Sequence, residues 1–260
     1  MSVLSVDIGN SHTVFGVHDP AGKLAVSFRI QTDKNACPDE LYVVVERSLA
    51  REAIAFGDVK TVVLGTVVPE LVHAWRKLFA GSARVIMADH KAPWSFRIGI
   101  PNPAQLGPDR MANAEAGLRF GAPFLVIDAG TATSFDVVAK DENGPVFVGG
   151  VLCPGVGISM NALTSRASRL PSVSLSRYAR GDFPVVGNDT ESAIRSGVIR
   201  GFVAMVDGLV EEILTEQGFP ANTPVIATGG FSGYLNGLSK RVTHFEPELT
   251  LEGFHALAGR

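Results

Sequence analysis

Two α/β lobes of similar design, with a cleft between them, are what this sequence predicts, and three observations predict it. A strand that ends in Asp-x-Gly and resumes after a short polar turn occurs twice, as "VDIGNSHTVFGV" and "IDAGTATSFDVV". The aspartates, Asp7 and Asp128, lie 121 residues apart, close to half of the 260-residue chain. Around both copies, β-branched apolar runs alternate with stretches of helical spacing, the pattern of α/β architecture. No low-complexity tract or long flexible linker interrupts the chain, and an apolar share of 46% supports a sizeable core in each half. The expected division is an N-terminal lobe over 1–118 and a C-terminal lobe over 119–260.

The elements follow in order. Residues 3–7, 12–18 and 24–30 read as three antiparallel strands, the last two joined by Asp19-Pro20-Ala21-Gly22, which has the proline and glycine of a hairpin turn. Pro38 suits a first helical turn, and "DELYVVVERSLAREAIAF" alternates acids and apolar residues at helical spacing. Strand 61–66, helix 69–80 and strand 84–88 suggest a βα crossover onto the same sheet. Trp75 and Phe79, four apart on that helix, are expected in the core or in a dimer contact. Pro93, Pro101, Pro103 and Pro108 hold the chain extended until a helix begins near Asp109 and stops at Gly121-Ala122-Pro123. After the second Asp-x-Gly copy, "VFVGGVLCPGVGISMNAL" runs from a strand through a glycine-rich turn into a helix. Asn188-Asp189-Thr190-Glu191 has the form of a capping box and opens a long helix to about residue 217. Ile194, Val198, Phe202, Met205 and Leu209 give that helix a core face. "PVIATGGFS" is a last strand ending in a double glycine, and "LTLEGFHALAG" a short closing helix.

A net charge of −3 gives no footprint for nucleic acid or a membrane surface. No apolar run reaches the length of a membrane span, and the N-terminus reads as a first strand rather than a leader. Cys37 and Cys153 are too few for a disulfide framework and lack metal-ligand spacing, so reduced thiols in a cytoplasmic protein are expected.

The repeated turn carries the chemistry. Glycine lets backbone approach an anion, N–H and O–H groups line the turn, and the acid must act on phosphate through a cation or water. A single Asp-x-Gly is more often an ordinary hairpin turn. Two copies in matching strands, with Thr228-Gly229-Gly230 closing a third, favour a nucleotide site between two lobes. No P-loop and no Gly-x-Gly-x-x-Gly at a helix start competes with it.

The order "DIGNSHTVFG", "NPAQLGPDRMANAEAG", "DAGTATSFDVV", "GGVLCPGVGIS", "NDTESAIRSG", "ATGG" resembles the type III pantothenate kinases, of the acetate and sugar kinase, heat-shock chaperone and actin superfamily. The resemblance covers nearly the whole chain, and the Gly107-x-Asp109-Arg110 element is its most specific part. It implies two ribonuclease H-like lobes and ATP-dependent phosphorylation of pantothenate to 4′-phosphopantothenate, the first step toward coenzyme A. It further implies that Asp7, Ile8, Gly9, Asn10, Ser11, His12, Thr13 and Val14 cradle the ATP phosphates, with Asp7 holding Mg2+ through water. Thr131 would contact ATP, and Asp128 would hold a monovalent cation, K+ or NH4+. Gly107, Pro108, Asp109, Arg110 and Thr190 would bind pantothenate, with Asp109 accepting the proton of its hydroxyl. Ile100 stands where relatives usually carry an aromatic residue in the pantothenate pocket. Relatives are homodimers, which makes a homodimer the expected assembly.

Each assignment has a plainer structural alternative. Asp109 could be a helix N-cap, Arg110 a surface ion pair, and His12 merely exposed. Arg166, Arg169, Arg177 and Arg180 read as a solvated run. A sugar or acyl kinase on the same scaffold, or a nucleotide-sensing regulator, are the rival functions.

Overall fold

The computed structural model describes residues 2–166, 170–171, 173–174 and 183–260. The strands are β1 (Ser2–Ile8), β2 (His12–His18), β3 (Leu24–Gln31), β4 (Val59–Thr66), β5 (Arg84–Met87), a two-residue β6 (Arg97–Ile98), β7 (Phe124–Ala129), β8 (Ala132–Asp141), β9 (Gly144–Pro154), β10 (Val225–Thr228) and β11 (His244–Phe245). The helices are α1 (Pro38–Ala50), α2 (Val72–Leu78), α3 (Pro108–Gly117), α4 (Val156–Arg166), α5 (Thr190–Gln217) and α6 (Leu249–His255). The chain divides into two compact units. One comprises the residues through Ala116 together with Leu249–Arg260, and the other Gly117–Glu248. The expected lobe boundary lies two residues from this division, but the final segment belongs with the first unit, because α6 packs on β1, β2 and β4.

The first sheet runs β3-β2-β1-β4-β5, with β1, β2 and β3 antiparallel and β1, β4 and β5 parallel. The second unit repeats that design as β9-β8-β7-β10-β11, antiparallel through β7 and parallel from β7 to β11. The repeated Asp-x-Gly therefore marks the same place in each sheet, the turn from its central strand into the antiparallel neighbour. Central strands are covered on both faces, so they read as nearly continuous apolar runs.

In the first unit, Leu4, Val6, Ile8, Phe15, Val62 and Leu64 face Leu41, Val45 and Leu49 of α1 and Trp75 of α2. Trp75 and Phe79 are each 1% exposed, which fixes them as core residues. On the opposite face, Val63 packs with Ala112 of α3 and with Phe254 and Leu257. Gly253 is what lets α6 approach α3, since a Cβ there would overlap the backbone of Ala112.

His18, fully buried on β2, stacks on His255 of α6 with ring centroids 4.2 Å apart, and its Nε2 is 3.1 Å from Ser5 Oγ. Burial and the neighbouring His255 push its pKa down to about 4, and burial lowers His255 as well. Both shifts favour the neutral ring. A histidine whose folded pKa lies below its unfolded value of 6.5 takes up protons preferentially when unfolded. Its contribution to stability is complete above pH 6.5 and declines as the pH falls toward 4. Thermal unfolding midpoints are therefore expected to drop between those values, and His18→Phe to flatten that slope. An equal slope in the variant would assign the acid sensitivity elsewhere.

In the second unit, Leu125, Ile127, Ala129, Phe135, Val137, Val225 and Ala227 face α5. Ile194 and Phe202 of the expected face are buried, together with Ile199, Val203, Val206, Val210, Ile213 and Leu214, while Val198, Met205 and Leu209 are only partly buried beside them. At those three positions the expected core face is thus rotated by about one residue. Apolar side chains line two adjacent stripes of α5, and spacing alone does not choose between them. The cap differs as well. Asp189, not Asn188, caps the helix, with its Oδ1 accepting from Ser192 N at 2.7 Å and its own N–H donating to Ser192 Oγ at 3.2 Å. Glu191, expected to close the box, instead pairs with Arg195 at 2.6 Å one turn on. Gly218, in the left-handed region at φ 64°, ends the helix, and the Phe219 N–H donates back to Leu214 O at 2.9 Å.

Candidate nucleotide and acceptor site

The first turn is tight. Gly9 N donates to His12 O at 3.0 Å, leaving Asn10 and Ser11 at the tip. Thr32, just beyond β3, braces it: its hydroxyl donates to Gly9 O at 2.7 Å and lies 2.9 Å from Thr13 Oγ1. Its N–H donates to Ser11 O at 3.1 Å. Lys34 Nζ donates to Asn10 Oδ1 at 3.3 Å, bringing a cation to the tip. Asp7 is half-buried, in register with Val14 on β2 and Gly65 on β4. Ile8 and Thr13 are buried, and the Thr13 hydroxyl is engaged by Thr32, so the side chains of both serve the turn. Only their backbone groups remain for a ligand. His12 and Val14 are half-buried on β2.

The second turn is built more closely still. Gly130 N donates to Ala132 O at 3.0 Å and Thr131 is exposed at the tip. Gly155, immediately before α4, abuts it so closely that a Cβ would overlap the carbonyls of Thr131 and Gly130. The N-terminus of an 11-residue helix thereby lies against the turn, adding the positive end of its dipole. Gly229, at φ 88°, presses its backbone on Asp128, where a Cβ would strike Oδ1. Thr228 is in register with Asp128, which puts the two side chains on one face of the sheet. Its hydroxyl is buried without a hydrogen-bond partner among the described residues.

These donor sets suit hard cations. Among the described residues no group of three His, Cys, Asp or Glu side chains could hold a metal. A cation here would be held by one carboxylate with hydroxyl, carbonyl, water and phosphate oxygens, which is how Mg2+ beside nucleotide phosphates is usually held. Asp7 with the Asn10-Ser11 tip fits that pattern. Asp128, with the unsatisfied Thr228 hydroxyl beside it, fits a second oxygen-bound cation.

The third element is the start of α3. Gly107 O accepts from Met111 N at 3.2 Å, which makes Gly107 the cap, Pro108 the first helical residue and Asp109 the second. The N-cap role is thus taken by Gly107. The Asp109 carboxylate folds back over Gly107, so that a Cβ on Gly107 would collide with Oδ1. Burial pushes the carboxyl of Asp109 up, outweighing the Arg110 backbone N–H and guanidinium, which pull it down. A raised carboxyl pKa next to an arginine is the setting of a general base. Arg110 and Ile100 are half-buried, Ile100 on the segment between β6 and α3. Thr190, the first residue of α5, is exposed and belongs to a separate element. Arg169, Arg177 and Arg180, and the side chain of Arg166, lie outside the described residues.

The sequence brings Asp7–Val14 into one turn, Asp128–Thr131 into another and Gly107–Arg110 into one helix start, as its motifs require. Thr32 and Lys34 are not singled out from sequence, whereas Thr228 is named there in Thr228-Gly229-Gly230. Thr32 and Lys34 carry no local signal, because only the β2–β3 pairing brings them to the turn.

A sheet of the same design repeated in two units, each with an acid-glycine turn leaving its central strand, defines a duplicated α/β fold of the actin-like kind. Solved structures agree on the fold. A Baf family transcriptional activator from Campylobacter jejuni aligns with a TM-score of 0.59 at 18% identity, covering 98% of this chain and 96% of that one. An ADPNP-bound activator of the 2-hydroxyisocaproyl-CoA dehydratase from Clostridium difficile aligns at 0.55 and 14%, covering 99% and 93%. The type III pantothenate kinase family model matches residues 3–212. A type III pantothenate kinase from Acidiphilium cryptum is 40% identical over 260 residues, covering 99% of this chain and 94% of the relative. The chain belongs to the type III pantothenate kinase family.

Proposed function

We propose that this protein transfers the γ-phosphoryl group of ATP to the terminal hydroxyl of pantothenate, giving 4′-phosphopantothenate and ADP. The observation that carries the reading is the start of α3 in a chain of this family, where the Asp109 carboxylate, its pKa raised by burial, stands beside Arg110. As the new O–P bond forms, the bond from the γ-phosphorus to the bridging oxygen breaks and ADP departs with that electron pair. Asp109 takes the hydroxyl proton. Arg110 grips the pantothenate carboxylate with its planar fork, Thr190 and the Gly107-Pro108 backbone contribute contacts, and Ile100 provides an apolar wall. The Asp7–Val14 turn cradles ATP phosphates, and Thr131 contacts ATP. Bound cations would neutralise phosphate charge, Mg2+ reached by Asp7 through water and K+ or NH4+ reached by Asp128. Because the transition state is loose, positioning and charge neutralisation supply most of the catalysis.

An ADP-release assay with pantothenate, hexoses and acetate as acceptors tests the reading. Turnover is expected with pantothenate alone, and a preference for a hexose or acetate would replace it. Potassium or ammonium is expected to raise the rate about tenfold or more over sodium-only buffer through Asp128. Equal rates in sodium would remove the monovalent cation from the scheme.

A homodimer belongs to the same reading, supported by the exposed apolar side chains of Leu152, Ile158 and Leu163 in the second unit. Cytoplasmic residence is supported by the free thiols of Cys37 and Cys153. Among the described residues no helix is long and apolar enough to cross a membrane.

A further inference from the structure

Glu115 is a buried acid that the phosphoryl-transfer scheme does not use. Its side chain is 4% exposed, six residues past Asp109 on α3. Burying a carboxylate is costly unless it is fully engaged, so the groups that engage it carry information. Oε2 accepts from the backbone N–H of Ser95 at 2.7 Å, and Oε1 accepts from the Arg260 guanidinium at 2.6 Å. The same guanidinium donates to Pro93 O at 2.5 Å, and Arg84 in turn donates to Arg260 O at 3.2 Å.

The Ser95–Glu115 bond joins residues 20 apart in the chain, and Ile100, Gly107, Pro108, Asp109 and Arg110 all lie in the loop it closes. Before α3 the loop has little regular structure. Outside the Pro108–Glu115 part of α3, it holds only the two-residue β6 and a single 3-10 turn at Pro103–Gln105. Arg260 clips the same closure from outside by holding both Pro93 and Glu115. At the start of α6, the Thr250 hydroxyl donates to the buried Asn113 Oδ1 at 2.8 Å, so α3 is fixed between the closure and the last helix.

We infer that Glu115 is a positioning residue for the acceptor: by joining Ser95 to Arg260 it closes the 95–115 loop and sets where Ile100 and the first turn of α3 stand. The inference rests on the assignment of that loop to the acceptor. A small misplacement of groups that orient a substrate has a large kinetic cost, while groups outside the loop are unaffected. Loosening the closure should therefore act on acceptor binding and leave the nucleotide turns alone.

The test compares Glu115→Gln, Arg260→Met and Arg260→Lys with wild type in steady-state kinetics and amide hydrogen exchange. Glu115→Gln and Arg260→Met are expected to lower kcat/KM for pantothenate about tenfold, because Asp109 shifts together with the acceptor contacts, with KM for ATP nearly unchanged. Arg260→Lys, which keeps the charge, should recover part of the loss. Exchange should quicken across 95–107 and stay at the wild-type rate in the Gly9–Thr13 turn. Arg260, partly exposed, provides a variant that folds should Glu115→Gln not fold. Wild-type exchange across 95–107, or faster exchange with an unchanged kcat/KM for pantothenate, would overturn the inference. So would a parallel rise in KM for ATP. If wild type turns over a different acceptor, the pantothenate reading fails on its own, and the same kcat/KM comparison is made with that acceptor.

Discussion

Asp109→Asn is expected to fold, to bind ATP with wild-type affinity and to lose turnover by about a hundred- to ten-thousandfold, the usual range for removing a general base. The amide keeps the shape of the carboxylate and a carbonyl oxygen for the backbone N–H groups that approach it. It cannot accept the proton of the acceptor hydroxyl. The helix should survive, because Gly107 and not Asp109 occupies the cap position of α3. Calorimetry with ATP and single-turnover kinetics separate binding from chemistry. Wild-type turnover in the variant would take Asp109 out of the base role and leave it as a first-turn acid that favours the helix dipole.

Gly155→Ala should damage the nucleotide site without touching any side chain in it. The new methyl has no room, since it would overlap the Thr131 and Gly130 carbonyls, and backbone cannot swing aside as a side-chain end can. Either the turn or the start of α4 must move. Affinity for ATP is expected to fall about a hundredfold, with a stability cost of about 1–3 kcal/mol typical of overpacking. Far-UV circular dichroism should be unchanged. An unchanged ATP affinity would mean that the Gly130-Thr131 turn does not carry the nucleotide.

The two Asp-x-Gly turns were legible because they depend on local chemistry: a strand, an acid, a glycine and hydroxyl residues within one short segment. Their equivalence in the two sheets followed from the same repeat. Trp75 and Phe79 were legible as core from helical spacing. The face of α5 was not, because Val198, Met205 and Leu209 are as apolar as Ile199, Val206 and Val210, and the sheet decides which stripe is buried. The cap of α5 slipped by one residue because Asn188 and Asp189 are both good acceptors, and a serine three residues beyond Asp189 completed the box. The Thr32 brace and the Glu115–Ser95–Arg260 closure escaped notice for a common reason. Each joins residues far apart in the chain, and nothing in the neighbourhood of Thr32 or Glu115 names its partner.

The return of α6 to the first sheet has a consequence for biosynthesis. Gly117–Glu248 is a continuous insertion within a unit whose last residues are translated after it. On the ribosome, the later-emerging half can therefore reach its native arrangement before the earlier one. Until Phe254 arrives, the β1–β4 surface beside Gly65 remains uncovered apolar area, a natural handle for a chaperone.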